Sequence, residues 1–229
     1  ERKEPWFLFV HCFDVHDGAK TSRVWNFLYK LKFLLRLRTL RNKYPSHRDF
    51  WRDLSLMYVD EQVGKFLRRL EERALLKNTF IVITSDHGIG WDMARGTTNI
   101  HELGFRTHYE HVQVPLVISP ASKTPVDIGI YDSMSISATI LDELGLKQHP
   151  SFLGKSLYED GKAIGIVENV GRGNCDWMRR DLFYTVTSQT HKLMMMITGT
   201  DVRPARLFDL AADPGERVNI INAPEARDI

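Results

Sequence analysis

Residues 79–90 read TFIVITSDHGIG, and this stretch decides the fold. Residues 80–83 are aromatic or β-branched without interruption, which predicts a strand buried on both faces of a sheet. Asp86 and His87 follow at once, and polar groups so close to a buried strand need a hydrogen-bond partner, a cap or a metal. Ligands of open α/β sheets bind at the carboxyl ends of strands, and Gly88 would allow a sharp exit and a close approach of the backbone to such a ligand. A turn with an incidental histidine is the alternative that these residues leave open.

A second predicted strand end carries similar side chains. Residues 6–13 read WFLFVHCF, which is typical of a buried strand, and the exit DVHDG contains His16. Histidine titrates near neutral pH, so it can act as an acid or as a cation. Two strand ends therefore carry polar groups suited to a site, although His16 as the cap of a turn is the alternative.

The composition is that of a globular domain. The chain has 229 residues, of which 43% are hydrophobic and 26% charged, with a formal net charge of +2. This is enough for one large domain or one domain with a small appendage, and no apolar run is long enough to span a bilayer. Two cysteines, Cys12 and Cys175, cannot form a disulfide scaffold. Because the chain enters an apolar strand almost at once, we expect it to be the later part of a longer polypeptide.

Residues 18–48 are basic and contain no Asp or Glu. Their apolar residues recur at spacings of three and four, which predicts a basic amphipathic helix near residues 20–50. We interpret it as a helical insertion packed on its own domain with a solvated basic face. A surface for anionic lipid headgroups or a polyanionic substrate is the alternative.

The remaining elements predict an α/β core followed by a small sheet. Residues 53–76 are predicted as a helix, 90–110 as a loop over the strand ends, and 112–120 as a strand with Pro115 at its edge or start. Residues 133–144 are predicted as a helix, with Ser133 or Asp132 as its cap and Ile136, Ile140 and Leu144 on its buried face. Short strand-like pieces follow residue 150, and they predict a small antiparallel sheet. The expected domains are residues 1–150 and 151–229. The four pieces are AIGIVENV (163–170), LFYTVTS (182–188), KLMMMI (192–197) and ARLFDL (205–210).

Five pieces in order carry a family resemblance along nearly the whole chain. They are PWFLFVHCFDVH (5–16), the stretch from YVDEQ to SDHG (58–88), HYEHVQVPLVISP (108–120), ISATILDELGL with LGKSL (136–157) and LFDLAADPGERVN (207–219). With these pieces the chain resembles the C-terminal part of a sulfatase, within the alkaline phosphatase superfamily.

The resemblance implies a fold and a metal site. The implied fold class is α/β, a mixed sheet flanked by helices with a small C-terminal antiparallel sheet subdomain. Asp86 and His87 match the family's metal ligands, with calcium as the first expectation and manganese or zinc as alternatives, because imidazole suits those two metals better. His16 matches the family histidine that contacts the sulfate or phosphate and can protonate the leaving oxygen.

The chain departs from the family at the substrate lysine. Many sulfatases have a lysine a few residues before the Tyr–Glu pair, here Tyr109 and Glu110, but no lysine lies between Asp86 and Tyr109. Arg106 or His108 would take that role, and His108 is a candidate catalytic residue or ligand of a second metal. His101 is a further candidate for substrate binding, as is His111.

The family nucleophile has no counterpart in these 229 residues. It is a formylglycine made from the cysteine of a Cys-x-Pro-x-Arg motif, and neither Cys12 nor Cys175 has Pro and Arg in register. The resemblance therefore implies that the formylglycine lies in an upstream segment of the same protein or in a separate chain. The chain alone is expected to be inactive.

Three hypotheses about function follow. The first is a metal-dependent sulfuric ester hydrolase to which this chain supplies part of the active site. The second is a phosphoester or phosphonate hydrolase or a phosphotransferase of the same superfamily, which the Asp86–His87 pair and the absent lysine favour. The third is a noncatalytic protein that binds polyanions or a membrane through its basic helix. We expect an anionic ester as substrate and no nucleic acid; the resemblance alone suggests a secreted, periplasmic or lysosomal location.

Overall fold

The structure is a computed structural model that describes residues 5–17, 31, 47–88, 107–126, 129–169, 181–224 and 226. The chain divides into two compact units, residues 1–79 and 80–229. In the described ranges, no helix combines the length and the apolar character needed to cross a membrane. Most of the predicted basic helix near residues 20–50 lies outside the described residues, so its binding of lipid or polyanion stays a prediction.

The described residues of the first unit include α-helices and a 3₁₀ turn. Helix α1 spans Asp14–Asp17 and contacts helix α2, which spans His47–Glu72. The prediction of a helix here is confirmed, although α2 begins earlier and ends earlier than residues 53–76. A left-handed residue, Ala74, follows its end, and the 3₁₀ turn Leu76–Asn78 leads towards the second unit.

The predicted strand at residues 6–13 is wrong in this structure. Residues 5–13 have no regular secondary structure, and the side chains of Phe7 and Phe9 are 83% and 78% exposed. A strand needs a neighbour to satisfy its backbone donors and acceptors. None of the described strands pairs with this segment.

The second unit begins with a two-stranded antiparallel sheet. Strand β1 spans Ile81–Thr84, helix α3 spans Tyr109–Val112, and strand β2 spans Leu116–Ser119, with Ile81 opposite Ser119. Both predicted strands are confirmed, and β2 starts directly after the proline that was expected at its edge or start. The expectation that β1 is buried on both faces is wrong, because β2 is its only described neighbour and Ile83 is 38% exposed.

Helix α4 spans Met134–Glu143 and was predicted over residues 133–144. Of the two predicted caps, Asp132 is the one that acts, since its Oδ1 accepts from the Met134 N–H at 3.0 Å. The predicted buried face is confirmed only in part: Ile136 and Ile140 are half-buried, but Leu144 is 57% exposed. The fully buried side chains of this helix are Ser135, Ala138 and Thr139. A loop covers this small-residue face, and the Thr139 hydroxyl accepts from its Leu157 N–H at 3.0 Å.

A four-stranded antiparallel sheet closes the chain, as the sequence predicted. Its strands, in the spatial order β3-β4-β5-β6, are Gly165–Asn169, Asp181–Thr187, His191–Thr198 and Asp201–Asp209. Residues at alternate positions of β4 and β5 are buried, which is the pattern of a sheet with one covered face. The division after residue 150 stays a prediction, and an isolated bridge joins Ile130 to Lys162 across it.

Candidate functional site

The carboxyl end of β1 leads into a tight polar turn. The Ser85 hydroxyl donates to the His87 carbonyl at 2.7 Å, and the His87 N–H donates to Asp86 Oδ1 at 2.9 Å. These local bonds explain why Ser-Asp-His follows the strand, since short polar side chains replace the backbone partners that the ended ladder no longer supplies. The turn leaves the second carboxylate oxygen of Asp86 for another partner.

The His87 ring is oriented by its own neighbour. Its Nδ1 lies 2.8 Å from the Gly88 carbonyl oxygen, which can only accept, so Nδ1 carries a proton, and in the neutral ring Nε2 keeps a lone pair. Nε2 lies 3.6 Å from Asp86 Oδ2, and the two side chains are 58% and 65% exposed. An accessible imidazole nitrogen and an accessible carboxylate oxygen therefore lie side by side.

The Asp86 carboxylate is kept in its ionised form. Its partial desolvation raises the pKa, but the hydrogen bond from the His87 N–H, the proximity of the His87 ring and the Ser85 hydroxyl together lower it below the ordinary value of 3.8. A carboxylate that is ionised over the working range of pH is ready to contact a cation.

These two side chains fit a divalent cation in part. A histidine that binds metal usually donates its other ring N–H to a carbonyl or carboxylate, as His87 does to Gly88. Among the residues that the structure describes, however, no three His, Cys, Asp or Glu side chains are grouped closely enough to hold an ion. The pair supplies two donors, and further ligands would come from outside the described residues.

Gly88 brings helix α3 against this turn. The Gly88 N–H donates to the His111 carbonyl at 2.7 Å, and a Cβ on Gly88 would lie 2.2 Å from the Glu110 carbonyl oxygen. Only a residue without a side chain allows this contact. The sequence predicted that Gly88 lets the backbone approach a ligand, and this stays a prediction; in the structure the group that approaches Gly88 is the backbone of α3.

His108, predicted as a catalytic residue, lies inside the second unit. Only 2% of it is exposed; its Nδ1 is 2.7 Å from Glu216 Oε2, and its Nε2 is 3.1 Å from Nη1 of Arg206. Both ring nitrogens are engaged by protein groups, which favours a positioning role. A catalytic or metal-binding role for His108 stays a prediction.

Glu216 is the residue that the sequence reasoning missed. Its Oε1 accepts from Lys192 Nζ at 2.7 Å and from the Tyr109 N–H at 3.1 Å, while Oε2 contacts His108. Burial raises the pKa of the Glu216 carboxyl, but the hydrogen bonds from His108 and Lys192 outweigh burial and hold the pKa below its ordinary value. The sequence signal was the acid in the DPGERVN stretch. That stretch contributed to the family resemblance but gave no indication of which residues Glu216 contacts.

The side chains of three other predicted site residues lie outside what the structure describes. His16 lies in α1 of the first unit, and its side chain is outside what the structure describes. Arg106 and His101 fall in residues 89–106, which also lie outside the described residues. Their roles stay predictions. Asp86 and His87 remain the pair of predicted ligands that the structure places together.

The fold agrees with the comparisons to known proteins. The sequence profile of the sulfatase family matches residues 1–146, so the chain belongs to the sulfatase family. It is 27% identical over 207 residues to the N-acetylglucosamine-6-O-sulfatase of Bacteroides thetaiotaomicron, covering 79% of this chain and 33% of that protein. The chain thus spans about a third of the length of this curated relative.

Two solved structures share the fold. BT4656, in complex with its substrate D-glucosamine-2-N,6-O-disulfate, matches with a TM-score of 0.57 and 20% identity over 92% of this chain and 46% of that one. The phosphonate monoester hydrolase of Agrobacterium radiobacter matches with a TM-score of 0.58 and 19% identity over 79% of this chain and 38% of that one. The α/β fold class is confirmed, and sulfatases and phosphonate hydrolases both have it.

Proposed function

We propose that this chain supplies part of the active site of a metal-dependent hydrolase of sulfuric esters. Membership of the sulfatase family supports the reaction class. The observation that carries the proposal is the Asp86–His87 pair, two exposed side chains in which Nε2 lies 3.6 Å from Oδ2. Folds of the α/β class bind their ligands at the ends of strands, and this pair lies at the end of β1.

Asp86 and His87 would hold the cation, with calcium as the first candidate and manganese or zinc as alternatives. A bound divalent cation would stabilise negative charge that develops on the ester oxygens. Asp86 contributes a full negative charge, and the Gly88 carbonyl fixes the ring of His87 with Nε2 turned outwards. His16 would protonate the leaving oxygen, and Arg106 and His101 would contact the anionic group.

The nucleophile in this proposal is a formylglycine outside these 229 residues. Cys12 and Cys175 both lack the Cys-x-Pro-x-Arg context, and the chain spans about a third of the curated relative that it matches. Another polypeptide segment, in the same protein or in a separate chain, would complete the site. The 229 residues alone would then bind but not turn over a sulfate ester.

Hydrolysis of sulfated glucosamine by the natural polypeptide that contains this chain tests the proposal. We expect turnover that is lost with EDTA, restored by one divalent cation and reduced at least a hundredfold by Asp86→Asn, the scale on which single electrostatic groups act in active sites. Glu159→Gln, a change at an exposed carboxylate, is the control. Full turnover in the presence of chelator, or unchanged turnover in Asp86→Asn, would contradict the proposal.

A phosphonate or phosphate ester hydrolase is the second candidate. His87 favours it, since superfamily members in which Asp is followed by His act on such esters. The fold shared with the phosphonate monoester hydrolase also favours it. The same assay with phenyl phosphonate esters discriminates between the two. A kcat/KM for phosphonate above that for sulfate would replace the first candidate by the second.

A further inference from the structure

We propose that Glu216 is a positioning residue that holds residues 107–112 against the turn at Asp86–Gly88. The C-terminal loop would thereby set the geometry of the candidate metal pair, to which it contributes no ligand. The consequence for catalysis rests on the proposed function, whereas the positioning itself does not.

The first step is the convergence of three donors on one carboxylate. His108 Nδ1, Lys192 Nζ and the Tyr109 N–H all reach Glu216, at 2.7, 2.7 and 3.1 Å. The side chains of His108, Lys192 and Glu216 are each 3% exposed or less. A charge so deeply buried is tolerated only when donors surround it, so the three donors must stay in place together.

The second step fixes the proton on His108. A guanidinium has only donors, so the contact from Arg206 Nη1 makes Nε2 the acceptor and leaves the proton on Nδ1. Nδ1–H then donates to the Glu216 carboxylate. Each ring nitrogen has one role, and neither can change without breaking a buried contact.

The third step connects this cluster to the metal pair. His108 and Tyr109 lie at the start of α3, whose His111 carbonyl accepts from the Gly88 N–H at 2.7 Å. Gly88 in turn orients the His87 ring through its own carbonyl at 2.8 Å. A continuous path of short contacts thus runs from Glu216 to the imidazole that would bind metal.

The fourth step is the conformation of Glu216 itself. Its φ is 52°, in the left-handed region that disfavours residues with a side chain. The Asp213 carboxylate holds the turn by accepting from the N–H groups of Arg217 and Val218 at 2.6 and 2.7 Å. An unfavourable backbone conformation that the surroundings enforce is a reason to look for function. Here the turn aims a carboxylate at His108.

Hydrogen exchange of the Gly88 amide tests the positioning. In Glu216→Gln the single amide oxygen can accept either from His108 Nδ1–H or from Lys192 Nζ and the Tyr109 N–H, so in both orientations the amide nitrogen is set against a buried donor. We expect exchange at Gly88 to rise at least about tenfold, while exchange at Ile130, whose N–H donates to Lys162 in the same unit, stays unchanged. Nitrogen NMR of His108 in the unchanged protein should show the Nδ1-protonated tautomer, and an Nε2-protonated ring would contradict the second step.

A uniform rise of exchange at Gly88 and Ile130 would overturn the proposal, because it would show general destabilisation. If Glu216→Gln does not fold, His108→Leu makes the same test, since Glu216 keeps Lys192 and the Tyr109 N–H. Unchanged exchange at Gly88 in His108→Leu would also overturn it. Both readouts are independent of turnover, so a failure of the proposed function leaves them intact. Glu159→Gln is the control for a lost carboxylate.

Discussion

Two histidine–carboxylate pairs among the described residues of the second unit differ in exposure, in contact distance and in sequence separation. In the Asp86–His87 pair the side chains are 65% and 58% exposed, and the contact between them is 3.6 Å long. In the His108–Glu216 pair the side chains are 3% and 2% exposed, and the contact is 2.7 Å. The first is formed by adjacent residues, and the second joins distant parts of the sequence.

The difference shows that the contacts of the second ring nitrogen decide what a histidine can do. His87 uses Nδ1 on the Gly88 carbonyl and leaves Nε2 accessible, so it can bind a cation. His108 uses Nδ1 on Glu216 and Nε2 on Arg206, so it holds a segment of backbone. Removing the buried pair should therefore cost stability, and removing the exposed pair should cost binding.

The largest effect is expected from Glu216→Ala. The change leaves Lys192 buried without this anion and removes the acceptor of His108 Nδ1–H. Breaking one side of a buried ion pair typically costs about 3–5 kcal/mol. Urea denaturation of the chain should show this loss in the free energy of unfolding, with Glu159→Ala as the exposed control. A loss equal to that of the control would remove the distinction between the two pairs.

Acidification should reproduce part of that loss. The pKa of Glu216 in the folded protein lies below its ordinary value of 4.5, so the unfolded chain binds the proton more readily. The stabilisation is therefore fully present above about pH 4.5 and is lost as the pH falls through the folded pKa. Denaturation of the unchanged protein and of Glu216→Gln between pH 7 and pH 3 should give free energies of unfolding that converge at the acid end. A constant difference would contradict the pKa direction.

Gly88→Ala should have an intermediate effect. The new Cβ would lie 2.2 Å from the Glu110 carbonyl oxygen, so β1 and α3 would have to separate. Overpacking of this kind costs about 1–3 kcal/mol. The matched control is Gly64→Ala in helix α2, where the Cβ would meet only the flexible end of Arg68 at 3.5 Å.

In that control, alanine should raise helix stability by about 1 kcal/mol because glycine is the poorer helix former. Thermal unfolding of the two variants distinguishes the steric contact from a general effect of replacing glycine. Equal shifts in Tm would show that the contact between Gly88 and α3 does not stabilise the unit.

The parts of the fold that the sequence predicted are those whose signal is local. The four-stranded sheet follows from alternating apolar residues between turn residues, and β4 shows it with Phe183 and Thr185 buried. Residues 6–13 have an equally clear strand signal but no described neighbour to pair with. The prediction that β1 is buried on both faces failed for the same reason, since β2 is its only described neighbour. Residue propensity predicts a strand, but a strand forms only where a neighbouring strand satisfies its backbone donors and acceptors.

The contacts of the candidate site divide in the same way into local ones that the sequence predicts and long-range ones that it does not. Asp86 and His87 are adjacent in the sequence and follow a strand, so their proximity could be predicted. The contact of His108 with Glu216 joins residues separated by 108 positions, and a single sequence carries no signal for it. Lys192 looked like the polar end of a strand-like piece, yet its ammonium group is paired inside the unit. Burial of charge depends on tertiary contacts that periodicity does not describe.

The smallest effect on stability is expected from Asp86→Asn, although it should have the clearest effect on binding. Asn keeps the size of the side chain and an oxygen that can accept from the His87 N–H, and the position is exposed, so the free energy of unfolding should change by less than about 0.5 kcal/mol. The charge that attracts a cation is lost, and affinity for Mn²⁺, followed by the EPR signal of the free ion, should fall at least about tenfold. In His108→Leu, Mn²⁺ affinity should fall only together with faster hydrogen exchange at the Gly88 amide. In Asp86→Asn, Mn²⁺ affinity should fall while exchange at Gly88 stays unchanged. If Asp86→Asn destabilised the fold and left Mn²⁺ affinity intact, the exposed pair would be structural, and the contrast between a pair that binds and a pair that positions would fail.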